Sequence, residues 1–173
     1  SISLTFAVLY LAVAVRGLRT GKHRALAALL FALAGLCHLI PAFFVLGCTA
    51  ALFLVHPDRK RFKWLITMVP VAGLLTAFWV VPFALRSDYV NDMGWERLPL
   101  PTGDVTDVGY YLWPDGLRWL LFAAIAGVVL SLVRRYSVGL VLGLAWAGVT
   151  LAFWHLPQMR LWNARLLPFM YLS

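Results

Sequence analysis

Apolar positions run in six blocks, 1–15, 25–55, 64–85, 116–133, 137–156 and a last one from 161 onward, and most charges fall in the short stretches between them. An α-helix rises about 1.5 Å per residue and the hydrocarbon core of a bilayer is about 30 Å thick, so blocks of this kind read as membrane-crossing helices. The pattern predicts an all-α, polytopic transmembrane helical bundle.

The block 25–55 is too long for one ordinary span. Basic clusters flank it on both sides, Arg16, Arg19, Lys22 and Arg24 before it and Arg59, Lys60, Arg61 and Lys63 after it. The positive-inside rule wants both clusters in the cytoplasm, which two crossings deliver and one does not. A turn is available at Cys37-His38-Leu39-Ile40-Pro41, because Pro41 disfavours helix at Ile40 and can itself open the next helix. A short helical hairpin with arms 25–38 and 41–55 is therefore expected, each arm roughly 20–22 Å long. Its tip would stop below the far interface or be sheltered by other helices. The competing reading is one long tilted helix with a proline kink.

From there 64–85 runs outward, 86–115 forms one long outer loop, 116–133 returns, Arg134 and Arg135 make a tight inner turn, and 137–156 goes out again. Charge supports these sides. Ten of the fifteen Lys and Arg fall in the three inner loops, and six of the seven acids (Asp88, Asp92, Glu96, Asp104, Asp107, Asp115) fall in the outer one. Trp64, Trp113, Trp119 and Trp154 come near the expected interfaces, where amphipathic rings sit best. A multi-pass protein of the cytoplasmic membrane with 86–115 outside is the expectation.

Composition agrees with that reading. Of 173 residues 62% are hydrophobic and 13% charged, against about 45–50% and about 25% in soluble domains. The excess rules out a disordered chain, a collagen-like repeat and a disulfide-stapled secreted domain, and it leaves no room for a separate soluble catalytic domain. A net charge of +8 would suggest nucleic acid in a soluble protein, but topology accounts for most of these cations and no nucleic-acid partner is expected. Cys37 and Cys48 lie in apolar stretches without a CxxC or His-rich context and read as small buried hydrophobes. The chain starts and stops inside apolar runs, with no initiator Met and no signal-peptide n-region, so it reads as a single transmembrane domain that is a piece of a longer protein.

Several residues carry candidate chemistry. Asp88, Asp92 and Glu96 stand four apart and share a face if that stretch is helical. Such a face suits a divalent cation, or supplies a catalytic base beside a stacking Trp95; Arg86 and Arg97 can equally neutralise it as local partners. His38 is the ionisable residue in the middle of the hairpin block, and an intramembrane ionisable group is a functional candidate by default. It could donate to a phosphate or a sugar hydroxyl, or hydrogen-bond the carbonyls freed by Pro41. Arg160, Asn163 and Arg165 lie at the outer boundary of the last block, where the cytoplasmic bias does not explain them and arginine forks suit phosphate. On a regular helix Arg165 would lie about 140° round from Arg160, so one site takes both only if the backbone departs from helix. Pro157 suits a first helical turn, and Pro168 is expected to kink the last helix. Gly139 and Gly143 form a GxxxG pair, a helix-packing signal. No Walker loop, HExxH, GxSxG or GxGxxG occurs, so nucleotide hydrolysis, zinc proteolysis and serine hydrolase chemistry have no motif behind them.

Three blocks together resemble a known family. Gly35-Leu-Cys-His-Leu-Ile-Pro41, Ala77-Phe-Trp-Val-Val-Pro-Phe83 and Arg160-Leu-Trp-Asn-Ala-Arg-Leu-Leu-Pro-Phe169 resemble the central part of bacterial polytopic membrane proteins of the GT-C glycosyltransferase superfamily. They look closest to the membrane proteins named as related to 6-pyruvoyl-tetrahydropterin synthase. The resemblance implies transfer of a sugar from a polyprenyl-phosphate donor at the outer membrane face. In that superfamily the catalytic carboxylate sits in the first outer loop, and no position of this chain matches that loop. Asp88, Asp92 and Glu96 are therefore catalytic candidates by chemistry, with His38, Trp95, Arg160, Asn163 and Arg165 as substrate-binding candidates. Metal dependence is open. The competing class is a transporter or lipid flippase half, or a non-catalytic membrane subunit whose glycine faces pack on a partner.

Overall fold

The computed structural model describes residues 2–86, 88, 112–155 and 163–172. These residues form helices and turns with no strand among them, so the protein is an all-α helical bundle. The chain divides into two compact units, Ser1–Tyr89 and Val90–Ser173.

The first unit holds α1 (Ile2–Thr20), α2 (Arg24–Cys37), α3 (Leu39–Val55) and α4 (Arg59–Leu85). Its packing fixes the direction of every helix. Near the start of α1, Ser3 Oγ donates to the Ala34 carbonyl at the end of α2 (2.9 Å), and at the other end Gly17 lies against the Trp64 indole of α4. Trp64 Nε1 in turn donates to the Lys22 carbonyl, 2.8 Å away, in the α1–α2 connection. Halfway along α1, the Tyr10 hydroxyl meets Thr49 Oγ1 of α3 at 3.0 Å. Gly35 of α2 lies beside Ala42 of α3 and Thr76 of α4. Hence α2 runs back along α1, α3 runs back along α2, and α4 starts again from the end where α1 stops.

The hairpin is thus present, and its break falls on His38. That residue is extended (φ −170°, ψ 126°) and separates α2 from α3. Helix resumes at Leu39, so Ile40 is helical in spite of the following proline. Pro41 falls in the first turn of α3, where its missing N–H would have no intrahelical partner anyway. At 14 and 17 residues the arms are about 21 and 26 Å long, short of the roughly 30 Å hydrocarbon core.

Among the described residues four segments are long and apolar enough to cross a membrane: Ile2–Thr20, Arg59–Leu85, Asp115–Arg134 and Ser137–His155. Several apolar helices of this kind make the chain a multi-pass membrane protein. Compared with the apolar blocks, α1 and α4 continue through their basic flanks to Thr20 and from Arg59. Lys and Arg are good helix formers and their long stems let the charge reach water while the backbone stays hydrogen-bonded.

Small residues make the core of the first unit. Ala7, Ala14, Ala27, Ala28, Ala34, Ala42 and Ala72 are buried together with Tyr10, Trp64 and Met68. On α4 the buried set is Trp64, Met68, Ala72 and Thr76, one face at four-residue spacing. Lipid tails are as apolar as any side chain, so helices associate in a membrane by close van der Waals contact, and alanines let backbones approach. Two sequence expectations change here. Trp64, expected as an interfacial ring, is fully buried in a helix junction. Cys48 is buried, whereas Cys37 is exposed because it ends α2 just before the break.

The second unit contains a short 3-10 turn, Asp115–Leu117, then α5 (Arg118–Arg134), α6 (Ser137–His155), a second 3-10 turn, Asn163–Leu166, and α7 (Leu167–Leu172). Between α5 and α6 the chain reverses in two residues. Arg135 takes the left-handed conformation (φ 51°), and the Tyr136 N–H closes back on the Ser131 carbonyl at 2.8 Å, a Schellman-type closure that satisfies the end of α5. The GxxxG pair packs as its spacing predicts, with Gly139 against Ser131 and Gly143 against Val128. At the opposite end Leu121, Phe153 and Met170 are buried together with Leu112. Pro168 does not kink a helix, because it is the second residue of α7 and sits where a proline costs no hydrogen bond.

Candidate functional site

The expected site residues are distributed over both units. His38 lies at the hairpin tip and is exposed. Its Nδ1 accepts the Ile40 N–H at 3.2 Å, so the imidazole acts as the N-cap of α3, taking one of the amides that a helix start leaves without a partner. This differs from the expectation that it serves carbonyls released by Pro41. An accepting Nδ1 leaves the proton on Nε2, so the ring presents a donor on its other edge. Ser3 Oγ braces the break, donating to the Ala34 carbonyl and lying 3.4 Å from the His38 carbonyl. The tip is therefore held by backbone, by a cap and by a neighbouring helix.

Asp88 is exposed just beyond the end of α4. Asp92, Trp95, Glu96 and Arg160 lie outside the described residues. Asn163 and Arg165 both belong to the 3-10 turn that precedes α7, so the backbone there does depart from regular α-helix, and Arg165 is exposed. His38 and Asp88 belong to the first unit, and Asn163 and Arg165 to the second. Among the described residues no three His, Cys, Asp or Glu side chains gather in a way that could hold a metal ion; Asp92 and Glu96, the rest of the expected acidic set, are outside them.

The second unit also holds a feature that the sequence reading missed. A groove of about 590 Å³ lies between α5, α6 and α7, walled by Leu120, Ala124, Val128, Leu142, Trp146 and Met170 among others. It reaches from Leu117 at the start of α5 to Ser131 and Tyr136 at the α5–α6 turn, a length of about 21 Å at 1.5 Å per residue. Its lining hydroxyls are those of Ser131 and Tyr136 near the α5–α6 turn and Tyr171 on α7, and Ser131 Oγ is engaged with the Gly127 carbonyl at 2.7 Å. Beside the groove α5 and α6 approach closely where Ser131 meets Gly139 and Val128 meets Gly143, and the GxxxG pair was the available signal.

The arrangement suits a long apolar chain along α5 and α6 with a polar group at either end of it. The end near Leu117 and Tyr171 belongs to the part of the unit that carries α7, two residues after Arg165. No protein-family model, curated protein or solved structure matches this chain.

Proposed function

We propose that this chain is the membrane-embedded part of a GT-C-type enzyme that transfers a sugar from a polyprenyl-phosphate donor at the outer face of the cytoplasmic membrane. The observation that carries the reading is the apolar groove of the second unit, whose α7 end follows directly on the turn bearing Arg165. A lipid-linked sugar needs hydrocarbon for its tail, a cation for its phosphate and a carboxylate or imidazole for its sugar. In this reading the groove holds the tail, Arg160 and Arg165 meet the phosphate, and Asp92 or Glu96 of the same unit supplies the base. The three sequence blocks that resemble the superfamily support the reaction class, and the charge asymmetry of the loops supports the outer side.

The intact protein in liposomes, assayed for sugar transfer from lipid-linked donors, tests this. Arg160→Ala and Arg165→Ala are each expected to lower transfer by about 10–100-fold, the loss of one charge-assisted contact to phosphate. Ala124→Trp, which fills the groove, is expected to raise the donor KM. Full activity in both arginine variants would remove the phosphate assignment, and no transfer by the unmutated protein from any polyprenyl donor would return the chain to the transporter or non-catalytic class. Thiol labelling of cysteines placed at Thr20, Lys60 and Thr102 checks the sides: 20 and 60 should label from the cytoplasm and 102 from outside.

A further inference from the structure

The two basic clusters of the sequence come together in space. α1 ends, α2 begins, α3 ends and α4 begins at the same end of the first unit, and the Trp64–Lys22 hydrogen bond ties the 16–24 segment to the 59–63 segment. Eight cations, Arg16, Arg19, Lys22, Arg24, Arg59, Lys60, Arg61 and Lys63, therefore share that end with one carboxylate, Asp58. Among the described residues none of the eight forms an ion pair with a carboxylate. Arg24 Nε is buried in the junction and has no hydrogen-bond partner. A guanidinium nitrogen that is shielded from water and lacks an acceptor is costly, so an anionic acceptor at this place removes a penalty as well as adding a contact.

Apolar side chains interleave with the cations. Phe62 is 52% exposed between Arg61 and Lys63, Leu26 is 47% exposed two residues after Arg24, and Ile66 is 51% exposed one turn along α4 from Phe62. An acidic protein or a nucleic acid would cover the cations and leave these groups without a partner. A phospholipid meets both, with phosphate against the cations and acyl chains along the exposed faces of α2 and α4.

We propose that the basic end of the first unit is a binding site for an anionic phospholipid that carries two phosphodiester groups, one for each cationic segment. Each segment supplies four cations, so a lipid with two linked phosphates engages both at once, and a lipid with a single phosphate engages one. The gain is that of two tethered contacts over one, which the linkage makes intramolecular. The site is separate from the groove of the second unit and stands or falls independently of sugar transfer.

The purified intact protein in neutral detergent provides the test, since both of its ends are then accessible. Lipid retention by native mass spectrometry and protection against thermal unfolding are compared for cardiolipin, phosphatidylglycerol at matched total charge, and phosphatidylcholine. Cardiolipin should be retained in preference, and its retention should fall steeply as salt is raised. Lys22→Gln with Arg24→Gln, and separately Arg59→Gln with Lys60→Gln, should each weaken cardiolipin retention by roughly thirtyfold, two near-surface cations being lost in each case. They should at the same time abolish its advantage over phosphatidylglycerol. Equal retention of the two anionic lipids at matched charge overturns the proposal, and so does full retention in either paired variant with unchanged helical content. If a variant does not fold, the salt dependence and the lipid ranking of the unmutated protein decide the matter.

Discussion

The two units solve the same packing problem with different amounts of small-residue surface. In the first, Ser3, Ala7, Ala14 and Gly17 give α1 a small face along most of its length, and α2 answers with Ala27, Ala28, Ala32, Ala34 and Gly35. The helices close on one another along these small faces. In the second, α5 buries Leu121 and Ser131 and α6 buries Gly143, Ala145 and Phe153, with Gly139 and Gly143 as the points of close approach. A groove of about 590 Å³ remains beside that contact. Hydrocarbon offers helices no hydrophobic gain for meeting, so the extent of small-residue contact decides whether a pair seals or leaves room for a long apolar ligand.

The comparison breaks most severely at Gly17. A Cβ there would lie 2.6 Å from Trp64 Cζ2 and 2.8 Å from Nε1, in a ring that cannot flex and that is itself fully buried. Gly17→Leu must expel the indole and break its bond to the Lys22 carbonyl, at a cost of about 3 kcal/mol or more. Unfolding by SDS titration in mixed micelles measures this. Gly47→Ala and Gly73→Ala, whose added methyl meets nothing within 4 Å, should stay within about 0.5 kcal/mol of the parent. A similar loss at all three positions would mean that glycine acts here through the backbone and not through close approach.

The second unit is tested at Gly139, where a Cβ would collide with the Ser131 side chain. Gly139→Ala should cost about 1–2 kcal/mol, less than the change at Gly17 because a serine can turn aside from its bond to the Gly127 carbonyl. Ser131→Gly in the same chain should recover most of the loss, and a double-mutant cycle isolates the coupling. Without recovery, the α5–α6 contact would have to depend on something other than this pair, and the origin assigned to the groove would need revision.

Much of the fold was legible because it follows from side-chain solvation. Apolar runs and flanking cations marked the helices, and the demand that both basic clusters lie on one side called for the hairpin before any packing was known. The register of the break was harder. Pro41 pointed to Ile40, but the chain turns at His38, because the imidazole caps the new helix and a proline costs little in a first turn. Cys37 and Trp64 were misplaced for a related reason: composition reports that a residue is in the membrane and not which neighbour it meets. The candidate site was least legible. Asp92, Trp95, Glu96 and Arg160 fall outside the described residues, and the groove depends on how α5, α6 and α7 come together, which a helix-by-helix reading keeps apart.

A smaller loss than at Gly17 or Gly139 is expected at one buried polar contact between helices of the first unit, that of Tyr10 with Thr49. Thr49 Oγ1 donates its proton to the Val45 carbonyl at 2.7 Å, so the 3.0 Å contact with Tyr10 is one in which the tyrosine hydroxyl donates and the threonine accepts. Removing the donor leaves nothing stranded. Tyr10→Phe keeps the edge-on contact with the Phe31 ring, 5.3 Å between centroids, and Thr49 keeps its bond to Val45. The expected cost is about 0.6 kcal/mol, the typical worth of a hydrogen bond between helices in a bilayer. The reverse change, Thr49→Val, removes the acceptor from a fully buried hydroxyl and should cost more, about 1–3 kcal/mol. The same SDS titration ranks the two. If Tyr10→Phe proved as damaging as Gly17→Leu, polar contact and not the alanine and glycine face would be what holds the first unit closed.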